Sequence, residues 1–358
     1  MPAHDVVVIG AGPAGSTAAY RLARAGARVL LVDKARFPRD KPCGGGVTLR
    51  AARLLPFSID AVVEDVIERV DCRLDFGARF VRRAQAPLAY MTQRRRLDHF
   101  LLEQAAAAGA EVRLGAPVDA REVDAGVIVG ADGCNGSTAK QLGLGGGIVH
   151  GVALEANFPH DPRYARTMTL EIGSVRGGYG WIFPKGDHVN VGVGGNASEG
   201  PKLRAVLRRM CEAYGVDPEA ATETRGYRLP MRTSATTLVR GNAAVIGDAA
   251  GLVDPFSGDG MYEAFLSAQL VADAILAGDL ASYAREVDRR IVPLTNAGWG
   301  AKRAFERFPR TTFALARLPV TFRVLEKLLR GEISHPGAAR GLERGVVRLI
   351  YTVSHAAG

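Results

Sequence analysis

The 358-residue sequence has few of the features that mark secreted, metal-binding or membrane-spanning proteins. Its four cysteines form no CxxC pair and no cysteine–histidine cluster with zinc spacing, so we expect neither disulfides nor a metal site. No run of 18 apolar residues occurs, which predicts no transmembrane helix. The apolar N-terminus lacks the basic segment of a signal peptide. These absences predict a cytoplasmic protein.

Negative charge is scarce in the C-terminal region. Residues 281–358 contain 14 Lys and Arg against 6 Asp and Glu, so they carry +8 of the total net charge of +9. A basic, helical tail predicts contact with an anionic membrane surface at the inner face of the membrane, and a solvated helical face is the alternative. Nucleic acid is not an expected partner, and the oligomeric state is left open.

The N-terminal 33 residues contain a dinucleotide-binding pattern. An apolar stretch (5–9) precedes the GAGPAG turn (10–15), a small-residue segment (16–25) and a second apolar stretch (28–32) that ends at Asp33. The pattern predicts a strand, a glycine-rich turn, a helix and a strand, with Asp33 placed to accept hydrogen bonds from ribose hydroxyls. The three glycines permit the tight turn, the approach of a pyrophosphate and the packing of helix on strand.

The start of this helix has free N–H groups, which suit a pyrophosphate. The pattern by itself does not distinguish FAD from NAD. It predicts cofactor contacts from the turn and from the end of the second strand, at Gly10, Gly12, Pro13, Ala14, Gly15, Asp33 and Lys34.

Two more apolar strands end in an acidic residue and glycine. The first leads into GADG (130–133) and the second into GDAAG (247–251), which is followed by a turn and a helix over 261–277. Other predicted elements are a short helix over 49–55, strand-rich material over 61–84, a helix from Arg94 to about Ala108, strands over 111–114, 152–158, 167–172, 179–184 and 188–194, and a helix over 202–214. Beyond residue 280 we expect helices broken at Pro293, Pro309, Pro319 and Pro336.

Together these motifs resemble FAD-dependent oxidoreductases with the glutathione-reductase-like fold, over about residues 1–280. More narrowly, they resemble the group that contains aromatic hydroxylases, flavin halogenases and geranylgeranyl reductases. The resemblance implies FAD and an α/β fold: a Rossmann-like FAD-binding domain with an inserted antiparallel β-sheet substrate domain and a C-terminal helical tail. The expected FAD-binding domain is discontinuous and comprises residues 1–50, 90–145 and 240–280. The expected substrate-binding domain comprises residues 51–89 and 146–239, and the basic helical C-terminal region comprises residues 281–358.

The resemblance also implies roles for single residues. Asp248 would bind a ribityl hydroxyl, and residues 258–261 would present N–H groups and a helix N-terminus to the flavin pyrimidine edge. Arg94 would lie by the cofactor, with Arg95 or Arg96 as alternatives. Asp132 is expected to be structural as much as a ligand. The implied cofactor contacts are Cys43, Gly44, Gly45, Arg94, Asp132, Gly247, Asp248, Pro255, Gly258, Gly260 and Met261.

Two stretches point to the geranylgeranyl reductases. Residues 37–46, FPRDKPCGGG, resemble their cysteine loop, and residues 179–184, YGWIFP, resemble their YxWxFP signature. Where that family usually has a proline, three residues before the tyrosine, this chain has Arg176, which leaves the headgroup of the lipid open. Alternate residues of a strand share one face, so the aromatic side chains line a substrate pocket or pack in the core. The expected pocket residues are Tyr179, Trp181, Phe183 and Pro184.

The resemblance predicts reduction of carbon–carbon double bonds in an isoprenoid chain of a prenyl lipid, with hydride from reduced FAD and Cys43 as proton donor or positioning group. A small buried packing residue is the alternative for Cys43. The electron donor is NAD(P)H or ferredoxin. The alternative functions are an FAD-dependent monooxygenase or halogenase on the same scaffold, and a non-catalytic flavoprotein assembly factor.

Overall fold

The computed structural model describes residues 2–356, and these form sixteen strands and eleven α-helices. The strands are β1 (Val6–Ile9), β2 (Val29–Asp33), β3 (Gly46–Thr48), β4 (Val63–Ile67), β5 (Arg69–Leu74), β6 (Ala78–Arg83), β7 (Ala89–Thr92), β8 (Glu111–Leu114), β9 (Val127–Gly130), β10 (Val149–Pro159), β11 (Thr167–Ile172), β12 (Tyr179–Pro184), β13 (His188–Asn196), β14 (Thr222–Met231), β15 (Val239–Arg240) and β16 (Ala243–Val245). The helices are α1 (Pro13–Arg24), α2 (Leu49–Ala52), α3 (Arg94–Ala107), α4 (Thr138–Gln141), α5 (Leu203–Tyr214), α6 (Met261–Leu276), α7 (Ala281–Arg290), α8 (Val292–Arg307), α9 (Pro309–Ala316), α10 (Pro319–Arg330) and α11 (Gly341–Ala356).

The first sheet has six strands in the order β15-β16-β9-β1-β2-β8 and is parallel except for the pair β15–β16. All four residues of β1 are buried, as expected of a central strand that is covered on both faces. Helices α1 and α6 pack against each other in the same core. The carboxyl ends of β1, β9 and β16 meet at one edge, which is where parallel α/β sheets bind ligands.

The second sheet has seven strands in the order β14-β10-β13-β12-β11-β5-β6. Its neighbours pair antiparallel, except that β11 and β5 are parallel. Helix α5 packs on one face through Leu207 and Met210, while Phe313 of α9 and Phe322 of α10 pack with aromatic side chains of β12. A third, three-stranded sheet has the order β3-β7-β4. The mixed α/β fold with parallel and antiparallel sheets is as predicted.

The basic C-terminal region is helical over α7–α11, as predicted. The helices are broken at Pro293, Pro309 and Pro319 as predicted, and each of these prolines stands in the first turn of the next helix, where its missing N–H group leaves no bond unmade. The same effect corrects the predicted start of α1, which begins at Pro13 and not at residue 16. Within residues 2–356, we find no helix with both the length and the apolar character needed to cross a membrane.

Candidate functional site

The turn after β1 has the geometry of a pyrophosphate cradle. Gly10 has φ +108°, and a Cβ on Gly15 would lie 1.8 Å from the Gly10 carbonyl oxygen, so α1 packs directly onto the turn. At Gly12 the space is open, since the nearest atom to a Cβ there is a guanidinium nitrogen of Arg39 at 3.6 Å. Helix α1 has no side-chain N-cap and no acidic residue in its first turn. These features fit an anionic group at the helix N-terminus.

Asp33 fixes the loop beside this cradle. Its Oδ2 accepts a hydrogen bond from the Ala11 N–H at 2.8 Å, and its Oδ1 accepts one from the Ala35 N–H at 2.8 Å. Each carboxylate oxygen keeps a second lone pair, so a ribose hydroxyl can still be bound. Lys34, next to it, is exposed.

Asp132 combines a structural bond with a free acceptor. Its Oδ2 accepts from the Thr138 N–H at 2.9 Å and from the Thr138 hydroxyl at 2.8 Å, at the start of α4. Its Oδ1 is buried and has no partner among the residues that the structure describes. A buried unpaired carboxylate oxygen is costly, so it indicates room for a ligand donor at this edge of the sheet.

Asp248 forms an ion pair that was not predicted from the sequence. Its Oδ2 lies 3.0 Å from Nζ of Lys41, in the cysteine loop, and the Tyr227 hydroxyl donates to the same oxygen at 3.4 Å. Lys41 also lies 4.5 Å from the centroid of the Tyr227 ring. Burial lowers the pKa of Lys41, but the Asp248 carboxylate and the Tyr227 hydroxyl together outweigh this, and the net shift is upward. The pair ties the cysteine loop to the GDAAG stretch.

The turn before α6 is stabilised by two aspartates. Asp254 Oδ1 accepts from the N–H of Phe256 and from the N–H and hydroxyl of Ser257, at 2.7–3.1 Å. Asp259 Oδ1 accepts from the Met261 N–H at 2.8 Å. Inside this turn, Pro255 is buried, and the predicted contact residues Gly258, Gly260 and Met261 follow one another into the start of α6. Gly247, at the end of β16, has φ +57°.

The cysteine loop is anchored on several sides. The Cys43 N–H donates to Glu155 Oε1 at 2.8 Å, and Lys185 Nζ donates to the Cys43 carbonyl oxygen at 2.9 Å. The Gly45 N–H contacts Cys43 Sγ at 3.4 Å. Gly45 itself has φ +79°, and a Cβ there would lie 2.1 Å from the Thr92 carbonyl oxygen. These contacts fix Cys43 in a half-buried position.

Arg94, and not its neighbours, lies beside Cys43. It is 4% exposed and donates from Nε and Nη2 to the two oxygens of Asp98 at 2.7 and 2.8 Å. Burial lowers the pKa of Arg94, but the Asp98 carboxylate and a hydrogen bond with Cys43 more than offset it, so the net shift is upward. Arg95 and Arg96 are both exposed, and Arg96 pairs with Glu64.

Glu155 and Lys185, which contact Cys43 from the seven-stranded sheet, were not predicted from the sequence. Glu155 is 7% exposed. Its burial raises its pKa, and the nearby Lys185 and the Cys43 N–H only partly oppose that rise. The sequence marks both residues as unusual but not their partner, because Glu155 is the only charged residue in the apolar run 152–158 and Lys185 directly follows the YGWIFP stretch.

The aromatic side chains of β12 form a row, as period-two alternation predicts. The ring centroid of Trp181 lies 6.0 Å from that of Tyr179 and 6.2 Å from that of Phe183. Trp181 and Phe183 are each 8% exposed, and the Trp181 indole N–H donates to Asn190 Oδ1 at 2.8 Å. Pro184 is buried at the end of the strand.

This aromatic row connects the two loops of the candidate site. At one end, a Cβ on Gly44 would lie 2.9 Å from Phe183, so the row touches the cysteine loop. At the other end, the Tyr179 hydroxyl donates to the Ser257 carbonyl oxygen, in the turn before α6. Beyond Tyr179 a cavity of about 190 Å³ opens between the β11–β12 connection and α8.

Comparison with known proteins supports an FAD-dependent enzyme. Residues 5–86 match the family described as FAD dependent oxidoreductase. The chain is 34% identical to a menaquinone reductase of Mycobacterium tuberculosis, over 77% of this chain and 78% of that protein. It is 32% identical to digeranylgeranylglycerophospholipid reductase 2 of Methanothermobacter thermautotrophicus, over 84% of each chain.

Solved structures show the same fold. A geranylgeranyl bacteriochlorophyll reductase-like protein of Thermoplasma acidophilum superposes with a TM-score of 0.77 at 20% identity, covering 99% of this chain and 98% of that chain. A flavin-dependent brominase superposes with a TM-score of 0.73 at 18% identity, covering 99% of this chain and all of the other. The fold by itself is therefore shared by reductases and halogenases.

Proposed function

Because the chain belongs to the geranylgeranyl reductase family of FAD-dependent oxidoreductases, we propose that it reduces carbon–carbon double bonds in an isoprenoid chain. The name of the digeranylgeranylglycerophospholipid reductase supports a prenyl lipid as substrate, and that of the menaquinone reductase leaves a quinone headgroup open. Bound FAD, once reduced, would supply the hydride. The reductant that regenerates it is NAD(P)H or a ferredoxin.

The chain's own residues then have three tasks. The first is to bind the cofactor, through the N–H groups at the start of α1 and the open space at Gly12, with Asp33 toward the ribose. The turn before α6 would present N–H groups near the flavin, and Asp248 would bind the ribityl chain. The Lys41–Asp248 ion pair keeps the cysteine loop close to these groups.

The second task is proton supply, and the observation that carries the proposal is the position of Cys43 between Arg94 and Glu155. Addition of a proton to one alkene carbon leaves positive charge on the other carbon, which then receives the hydride. The Cys43 thiol would donate that proton, and the Arg94 guanidinium would stabilise the thiolate that remains. Because burial raises the pKa of Glu155, this carboxyl retains a proton to higher pH and can return it to the thiolate.

The third task is to exclude water from the developing positive charge. The aromatic row of Tyr179, Trp181 and Phe183 runs from the cysteine loop to the turn before α6 and presents apolar area along that path. Large rings bury apolar surface with little loss of side-chain freedom, which suits a long hydrocarbon.

The proposal is tested with the anaerobic, chemically reduced holoprotein and a panel of prenyl compounds. We expect flavin reoxidation together with product that is heavier by two hydrogens for each double bond reduced. Reoxidation that requires oxygen and yields an oxygenated or halogenated product would support the monooxygenase or halogenase alternative. A bound flavin that neither prenyl compounds nor oxygen reoxidise would support the assembly-factor alternative.

A further inference from the structure

The cavity beyond Tyr179 differs in character from the aromatic row. Its volume is about 190 Å³, and its wall combines aromatic and charged side chains. The residues that matter here are Tyr179, Phe256, Phe305, Arg176, Lys302 and Glu306. The cavity therefore has an apolar part that continues into the row and a charged part at its outer side.

Lys302 places a buried positive charge in this wall. The residue lies on α8, is 7% exposed, and its ammonium donates to the Gly177 carbonyl oxygen. In the described part of the chain this ammonium forms no salt bridge. Burial lowers its pKa, although Glu306 and Asp254 partly oppose that shift. A buried ammonium without a paired carboxylate is unfavourable, and an anion that enters the cavity would relieve that cost.

Arg176 adds a second cation at the edge of the cavity. Its backbone is fixed, because the Asn196 N–H donates to its carbonyl oxygen at 3.0 Å. Its side chain is exposed, and its guanidinium forms no hydrogen bond or salt bridge with any residue between 2 and 356. A planar guanidinium with free N–H groups can bind two phosphate oxygens at once.

The single carboxylate in the wall does not cancel these two cations. Glu306 Oε1 accepts a hydrogen bond from Asn196 Nδ2 at 2.7 Å, so this oxygen is already engaged. The wall thus has two positive groups and one negative group, while Asp254, which acts on Lys302 from outside the wall, is engaged by the N–H groups of Phe256 and Ser257. The cavity thus favours an anion over a neutral or cationic group.

The apolar part of the cavity leads toward the cysteine loop. The rings of Phe256 and Phe305 stack with centroids 5.3 Å apart, and Tyr179 is in edge contact with Trp181. A cationic outer side and an aromatic inner side, joined to an aromatic row, match a molecule with an anionic head and a hydrocarbon tail.

We propose that this cavity binds the phosphate headgroup of a prenyl phosphate ester, with Arg176 and Lys302 as its cationic ligands. The inference rests on the proposed prenyl reductase function and makes it more specific, because it selects a phosphate-bearing substrate over a neutral quinone or alcohol. A prenyl diphosphate and a prenyl glycerol phosphate share this chemistry.

The experiment measures equilibrium binding to the FAD-loaded protein by calorimetry, for geranylgeranyl diphosphate, a prenyl glycerol phosphate and the neutral alcohol geranylgeraniol. The variants are R176Q and K302Q. The control is R303Q, because Arg303 is an exposed cation on the same helix that does not line the cavity. We expect R176Q to bind at least one phosphate ester about 10-fold or more weakly, while geranylgeraniol binding and R303Q stay unchanged.

The phosphate ester whose binding depends on Arg176 identifies the source of the headgroup. Unchanged binding of both esters to R176Q, or an equal loss for geranylgeraniol, overturns the headgroup site. Turnover of the same compounds is measured separately. Arg176-dependent binding without double-bond reduction overturns the reductase function alone, whereas reduction without any R176Q effect on binding overturns the headgroup site alone. R176Q keeps the test valid if K302Q does not fold, since Arg176 is exposed.

Discussion

The candidate site at the six-stranded sheet is built mainly from backbone groups, and the one at the seven-stranded sheet is built from side chains. At the edge of the six-stranded sheet, the groups that we propose for cofactor binding are mostly backbone N–H groups near Gly10, Gly12 and Gly247. At the seven-stranded sheet, the groups around Cys43 are side chains, such as Glu155 and Lys185. A site made of backbone groups depends on local conformation and requires glycines at fixed spacing in the sequence. A site made of side chains depends on which strands become neighbours in the fold.

The largest effect should come from substituting Gly15 in the backbone site. In Gly15→Ala, the new Cβ would lie 1.8 Å from the Gly10 carbonyl oxygen, and both groups are backbone-fixed. We expect a loss of about 5 kcal/mol or more in the free energy of unfolding, with little folded protein recovered. Yield, circular dichroism and flavin absorbance of the purified protein would measure this.

Gly12→Ala is the matched control, because its Cβ would meet only an Arg39 side-chain nitrogen at 3.6 Å. We expect the apoprotein to melt at the parent temperature while FAD occupancy falls, since the methyl group would stand where the pyrophosphate approaches. Parent-like FAD affinity in Gly12→Ala would show that this turn does not bind the cofactor.

The same difference explains what could be predicted from the sequence. The run from β1 to Asp33 was predictable because each step is local: an apolar strand, a turn that needs glycine, and a carboxylate at the next strand end. Glu155 was not predicted, because its contact with Cys43 spans 112 positions of the chain. Nothing in the local sequence around either residue specifies that approach.

The glycines of the cysteine loop illustrate where local rules mislead. Three consecutive glycines at 44–46 indicate flexibility when taken alone, but Gly45 has a positive φ and packs so closely on the Thr92 carbonyl oxygen that a Cβ would not fit. Tertiary contacts thus use glycine for close packing here. The division of the chain into domains and the cofactor roles of single residues stay predictions.

Trp181 tests the site that is built from side chains at the seven-stranded sheet. It is 8% exposed and packs in one cluster with Phe313 and Phe322 of the C-terminal helices. We therefore expect Trp181→Ala to lower the free energy of unfolding by about 3–5 kcal/mol, as for other buried aromatic truncations. Tyr179→Phe, which keeps the ring and removes only the bond to Ser257, is the control. A melting temperature equal to that of the parent, with weakened prenyl binding and intact FAD, would mean that Trp181 lines the pocket without supporting the core.

Cys43 tests whether the side-chain site carries the chemistry. We expect Cys43→Ala to slow anaerobic flavin reoxidation by prenyl substrate about 100-fold, equivalent to about 2.7 kcal/mol of activation free energy, because the proton donor is lost. Cys43→Ser should slow it less, since a hydroxyl can still donate. FAD affinity should change little in both variants. Stopped-flow absorbance measures the rate, and reoxidation of Cys43→Ala at the parent rate would reduce Cys43 to a packing residue of its loop.

Glu263, on α6 beside the six-stranded sheet, is an exception among the backbone groups there, because it is a buried carboxyl side chain. It is 2% exposed, and its Oε2 has no hydrogen-bond partner among residues 2–356. Burial raises its pKa well above 4.5, and the carboxylate of Asp259 adds to the rise. The folded protein then retains a proton that the unfolded chain releases. The stability contributed by the neutral carboxyl is thus complete below pH 4.5 and is lost as pH rises toward the folded-state pKa.

We therefore expect the free energy of unfolding of the parent to fall with rising pH relative to Glu263→Gln, which cannot ionise. The slope of this difference cannot exceed about 1.4 kcal/mol per pH unit, the value for one proton. Urea unfolding of both proteins between pH 5 and pH 8 measures it. Glu286→Gln is the control, because a hydrogen bond from Arg289 lowers the pKa of Glu286 and its charge is constant over that range. A pH-independent difference between parent and Glu263→Gln would mean that Glu263 is ionised in the fold. The core beside the six-stranded sheet would then contain a buried carboxylate, with Arg50 as the nearby cation.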